Sequence, residues 1–450
     1  MKKIVLLMVV LVIISGSLFA GGTSQQQPQG AQTAPAAAAA PAKVEIRAGY
    51  WGDGKRIDLY DNIIKEFEKV FTNVSVIREP LPFDAYADKL AIQVAGGNAP
   101  DFLSMHPQFM ADYLSRGILE PLDQYVSNGV VSFDGWDPNV VNYGKYNGKI
   151  YLAAMGVTIN GTLIDITGFK KLNVTPPGFD WSWDEAKSIG LQVRQALDAQ
   201  GRKNAWMMND SSSQFNNFRF YVRQFGHDPY DAQGNITFQQ ADVERWYAMW
   251  KDFRDLGIVP DAATSAETMN TTLANGLFAQ ERQLIAIYMP ANQYWMYGTA
   301  FPDRDIQIIR QAGSKGNIAV GEFPGMGLYG VYSKTTPDKK LAAAQLLNFW
   351  LNDPRSLVLY QLDQGVPGNT AVVNQYVLPL LDKYNTATVN FVNTVSKIAT
   401  VTPNPPPGAS EIEAAFRTNN EKVMFGASTP AAAAKDFCDQ AQAIRARQQK

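Results

Sequence analysis

The chain has 450 residues, 46% hydrophobic and 18% charged, a globular balance with length for two or three domains. A formal net charge of −2 offers no basic surface for nucleic acid. One cysteine, Cys438, excludes an intramolecular disulfide and a cysteine-based metal cluster, and two histidines, His106 and His227, exclude a His-rich metal site.

In chain order, residues 1–20 read as a signal peptide: Lys2 and Lys3, an apolar run from Ile4 to Ile14, then small residues ending at Ala20. The apolar run is shorter than the roughly 20 residues a spanning helix needs. "LFAG" is like a lipoprotein signal with Gly21 in place of the lipid-bearing cysteine, so export to the periplasm is expected. Residues 21–42, rich in Gln, Ala and Pro, read as a low-complexity linker that cannot build a core.

"VEIRAGYW" from Val44 alternates as a strand. An amphipathic helix follows, with Tyr60, Ile63, Ile64, Phe67, Val70 and Phe71 on one stripe. Strands at 74–77 and 101–105 alternate with helices at 85–97 and 107–117, which predicts βα units and a mainly parallel sheet. The pattern restarts after "GKIYLAAMG". Ser182 and Glu185 spell a capping box, 284–289 reads as a strand, and "DKKLAAAQLLNFWLN" is a helix stopped by Asp353 and Pro354. Gly- and Pro-rich stretches at 155–161 and 321–330 are expected crossings between two α/β lobes.

Catalytic motifs are missing: no G-x-S-x-G, no H-E-x-x-H, no Walker loop, no G-x-G-x-x-G after a strand. No catalytic residue, metal ligand or cofactor is assigned. Carboxylates are plentiful, so a secreted glycoside hydrolase stays open as an alternative.

Ordered segments carry a resemblance. "YADKLAIQVAGGNAPDFLSM", "LSRGILEPLDQYV", "GKIYLAAM", "FKKLNVTPPGFDWSWDEA" and "QGVPGNTAV" resemble the extracellular solute-binding proteins of carbohydrate ABC importers, the family 1 group that includes maltose-binding proteins. Departures include Asp165 where the family has Asn, Ala154–Met155 for Leu-Pro, and Glu281–Arg282 for Gly-Lys. The resemblance implies a two-lobed α/β periplasmic binding protein fold with a ligand cleft. Lobe 1 would be 43–153 with 330–370 returning to it, and lobe 2 would be 154–329 with 371–450. It implies a monomer that binds a small-molecule carbohydrate and delivers it to ABC permease subunits. A non-sugar solute is a further alternative.

Sugars present flat C–H faces and a rim of hydroxyls, which call for aromatic rings beside amides and carboxylates. The expected ligand residues are Trp51, Asp53, Phe83, Asp84 and His106 in lobe 1, and Asn160, Trp206, Asn209, Asp210, Trp295 and Tyr329 in lobe 2. Trp51, in "GYWGDGKR" at the end of the first strand, is paired in expectation with Trp295. Trp136, Trp183, Trp246, Trp250 and Trp350 are read as packing residues, as are Asp101, His227 and Cys438.

Overall fold

The computed structural model describes residues 43–448 apart from 53, 269–272, 314, 316–320 and 404. The expected signal peptide, the linker and Asp53 lie outside the described residues, as does the Asp84 side chain. The strands in chain order are β1 (Val44–Trp51), β2 (Val74–Leu81), β3 (Phe102–Met105), β4 (Lys145–Tyr146), β5 (Lys149–Ile150), β6 (Leu152–Ala154), β7 (Thr158–Asp165), β8 (Trp206–Met208), β9 (Gln283–Pro290), β10 (Ile306–Ile309), β11 (Pro324–Gly325) and β12 (Leu328–Val331).

Two larger sheets organise the chain. The first has the order β2-β1-β3-β12-β6. β1 pairs in parallel with β2 and β3, as the βα pattern predicts, while β12 returns antiparallel to β3 and β6. Pro80 is tolerated in β2 because that strand is an edge and loses no ladder bond there. The second sheet has the order β10-β7-β9-β8. It departs from the expected mainly parallel arrangement: β7 runs antiparallel to β9 and β10, and only β8 pairs in parallel with β9.

Each sheet has its own apolar core. In the first, Trp350 of the helix Pro337–Asn352 sits at the hub of Tyr50, Tyr60, Phe102 and Tyr329, with ring centroids 4.8 to 6.3 Å away. The second is built on Trp181, Trp246, Trp250 and Phe416, all buried. The capping box forms as expected: the Ser182 hydroxyl accepts from the Glu185 N–H at 3.1 Å, and the Ser182 N–H donates to Glu185 Oε2 at 2.8 Å.

The two Gly-rich stretches carry the chain between the sheets. One leads from β6 to β7 and the other from β11 to β12. They are laced together: the Met155 N–H donates to the Gly327 carbonyl at 2.8 Å, and Val157 and Val366 exchange two backbone hydrogen bonds, each 2.8 Å. A Cβ on Gly156 would stand 2.7 Å from the Gly365 carbonyl oxygen, and Gly365 itself has φ +109°. Both positions require glycine, one for space and the other for its left-handed backbone. Gly156→Ala has backbone for its opposing wall, which cannot swing aside, and is expected to cost about 1–3 kcal/mol in urea unfolding monitored by tryptophan fluorescence.

Candidate ligand cavity

A cavity of about 460 Å³ opens between the two sheets. Its first wall comes from the carboxyl ends of parallel strands, where ligands collect in open α/β sheets. Trp51 ends β1, Phe83 follows β2, and His106 follows β3; all three line the cavity. They form one aromatic platform. Trp51 meets Phe83 edge-on at 5.5 Å and His106 at 6.1 Å, and Phe83 meets His106 at 5.1 Å. Gly327 keeps the facing crossing thin: a Cβ there would lie 3.3 Å from the Trp51 ring.

His106 also caps the helix Pro107–Ser115, its Nδ1 accepting from the Gln108 N–H at 3.3 Å. Only an unprotonated Nδ1 can accept that bond. Burial disfavours the imidazolium and lowers the pKa to about 4.

The second wall is made by a β-bulge. Gly161 pairs with Met289 and Leu163 with Ala286, so Thr162 alone faces both Ile287 and Tyr288. Tyr288 takes up the extra residue with φ +57°, an uncommon conformation for a bulky side chain. Two amide side chains hold this kink. Asn209 Oδ1 accepts from the Ile287 N–H at 2.9 Å. Gln311 Oε1 accepts from the Tyr288 N–H at 3.2 Å and from the Thr162 hydroxyl at 2.9 Å, while its Nε2 donates to the Gly161 carbonyl at 2.7 Å. The bulge sets Asn160, Tyr288 and Pro290 along the cavity wall.

Phe323 and Pro324 from the second crossing, Arg219 and Phe220 from the helix Phe215–Arg223, and Glu413 from the helix Ala409–Met424 complete this side. Gln108 Nε2 reaches Glu413 Oε2 across the cavity at 3.4 Å. At another edge, the Asn292 amide donates to the Asp363 carbonyl at 2.9 Å.

Of the expected ligand residues, the structure brings Trp51, Phe83, His106 and Asn160 together on the cavity. The others whose side chains are described do not line it. Tyr329 is fully buried in the first core, against Phe102 and Trp350, because β12 turns that side chain toward the covering helix. Trp206 is buried on the edge strand β8 beneath the Arg282 guanidinium. Asn209 is spent on the bulge, and Asp210 pairs with the buried Arg254. Trp295 is half-buried on the short helix Tyr294–Ala300. Tyr288, Arg219, Phe323 and Glu413 went unnoticed in the sequence. Only Phe323, inside the "GEFPGMG" crossing, had a local signal.

A family model described as bacterial extracellular solute-binding protein matches residues 62–387. The chain belongs to that family. Its members bind small-molecule solutes and work with ABC permeases, and membership implies an exported protein. Among the described residues no helix is long and apolar enough to cross a membrane. A binding protein of Brucella abortus is 25% identical over 141 residues, 30% of this chain and 32% of that one, so the chain spans about a third of the length of the curated relatives it matches. A family 1 extracellular solute-binding protein from Alicyclobacillus acidocaldarius has a TM-score of 0.68 at 24% identity, covering 91% of this chain and 100% of that one. A periplasmic oligogalacturonide-binding protein from Yersinia enterocolitica, in complex with saturated digalacturonic acid, gives 0.77 at 19%, covering 91% and 100%. A Listeria monocytogenes ABC substrate-binding protein in complex with cycloalternan gives 0.75 at 20%, covering 89% and 99%. These likenesses show the two-lobed α/β fold.

Two outcomes follow from the cavity walls. The unfolded chain takes up a proton at a histidine near pH 6.5, whereas folded His106 resists until about pH 4. This contribution to stability is intact above pH 6.5 and is lost as the pH falls toward 4, at no more than about 1.4 kcal/mol per pH unit. His106→Asn keeps a capping oxygen but cannot titrate, so its urea midpoint is expected to fall less over that window. Gln311→Ala strips the bulge of its buried partners and is expected to cost about 1–3 kcal/mol in the same assay.

Proposed function

We propose that the chain is the substrate-binding component of an ABC importer, working in the periplasm as a monomer on a sugar or oligosaccharide. The observation that carries this is the make-up of the cavity. An aromatic platform of Trp51, Phe83 and His106 faces a wall with Asn160, Asn216 and Asn292. Rings cover the C–H faces of a pyranose, and amides answer hydroxyls as donor and acceptor at once. A volume of about 460 Å³ falls within the usual range for small-molecule sites. The Yersinia and Listeria relatives, in complex with digalacturonic acid and cycloalternan, support a saccharide as the ligand class.

Lobe closure about the laced Gly-rich crossings would bury the sugar and present the closed form to the permease. The proposed lobes follow the sequence expectation, 43–153 with 330–370, and 154–329 with 371–450, corrected at the borders: Leu328, Tyr329, Val373 and Val377 pack in the first core and belong to the first lobe.

Isothermal titration against a panel of mono- and oligosaccharides tests the reading. Saturable binding of a saccharide without product release is expected. Binding of amino acids or peptides alone would overturn it. Glu322 and Glu413 are carboxyls on the cavity, so steady hydrolysis of a glycoside dependent on both would favour the hydrolase alternative. Trp51→Ala is expected to weaken saccharide binding by about 1–3 kcal/mol, with Trp295→Ala unchanged. Thermal melts of both variants would confirm that they are folded.

A further inference from the structure

Arg219 lines the cavity yet is only 6% exposed. A guanidinium has five N–H donors in a planar fork and stays charged. Among the described residues this one makes a single hydrogen bond, from Nη2 to the neutral carbonyl of Pro403 at 2.9 Å. Its buried Nε has no hydrogen-bond partner. Asp228 Oδ1 stands 3.7 Å from that Nε, beyond hydrogen-bonding distance, and the other oxygen of Asp228 is taken by Arg223 at 2.5 Å. The Phe323 ring, 4.7 Å from Arg219 Cζ, fixes the plane of the fork without supplying negative charge.

The other charged groups on the cavity are matched. Arg56 Nε pairs with Asp363 at 2.8 Å. Arg310 clamps both oxygens of Glu322, at 2.8 and 2.9 Å. Glu413 accepts from Gln108, and burial pushes its carboxyl above the ordinary range, toward the neutral form. One cation with unspent donors therefore remains at the wall. Arg219 and Arg223 share the single carboxylate of Asp228, so the pair carries a surplus positive charge; removing water from it on lobe closure is costly unless the ligand brings the counter-charge.

We propose that Arg219 is the recognition group for a carboxylate on the ligand, so that the cavity selects a saccharide containing uronic acid over its neutral counterpart. A planar carboxylate fits the fork in bidentate fashion. One negative charge balances the surplus. A dianionic phosphate carries a second charge that this surplus does not balance. The inference rests on the carbohydrate reading above and narrows it.

The test is titration of the purified full-length protein with uronic-acid disaccharides of galacto and gluco configuration, each beside its neutral hexose disaccharide. At least one uronate is expected to bind about 100-fold more tightly than its neutral partner, the scale of a desolvated charge pair. Arg219→Gln is expected to abolish that preference, lowering uronate affinity about 100-fold more than neutral affinity, and Arg219→Lys to restore part of it. Equal or tighter binding of the neutral disaccharides by the wild-type protein overturns the proposal. So does an Arg219→Gln variant that weakens both classes alike, as a purely structural residue would. Should that variant fail to fold in a thermal melt, the wild-type comparison and Arg219→Lys decide. Binding of other neutral saccharides with none of the uronates overturns the proposal alone, whereas binding of no saccharide overturns the carbohydrate reading beneath it.

Discussion

The close approach of Gly156 and Gly365 is the constraint on which the rest of the molecule depends. Two sheets, each with its own core, are connected where backbone meets backbone with no room for a Cβ. Chain segments this close leave no room for a side chain at the two glycines themselves, and the two large cores lie to either side of them. The gap left between the two masses is the cavity. Its lining is then dictated by what each sheet offers at its rim: strand ends from the first, and a bulge with helix faces from the second.

The division of labour between the walls follows from those origins. Parallel strands stop abruptly, and the residues at or just beyond their ends carry rings: Trp51, Phe83 and His106, packed edge to face. The antiparallel wall has no such row of strand ends. It reaches the cavity by bending, and the bend is stabilised from behind by Asn209 and Gln311. Polar groups that a surface reading assigns to the ligand are thus consumed in shaping the wall. Two that do face the cavity, Arg219 and Glu413, come from helices whose other residues fill the second core.

Much of the fold was legible in the sequence, because strand alternation, the helical stripe around Phe67 and the Ser182–Glu185 box are local signals. The glycines at the crossings were legible as joints for the same reason. The site was legible mainly on the strand-end side, with Asn160 alone on the facing wall. Trp51, Phe83 and His106 each sit directly after a strand that the pattern reveals, so the position of the motif gives the position of the residue. Tyr288 was hidden because a bulge depends on register between strands far apart in sequence. Glu413 lies in the C-terminal helices and meets Gln108 only through tertiary packing. Tyr329 misled because a rim and a core position can be one strand residue apart, on opposite faces. Trp295 misled because an aromatic residue in a matching segment says nothing about the direction its ring faces.

The separation of the two cores bears on how the molecule comes apart. Apolar burial supplies most of the cooperativity of unfolding, and here it is spread over a large cluster on each sheet and two smaller ones against the second sheet. The backbone lacing at the crossings holds these clusters in one compact unit. A solute touching both walls adds its binding free energy only to the state in which both are folded, and so ties the stability of one wall to that of the other.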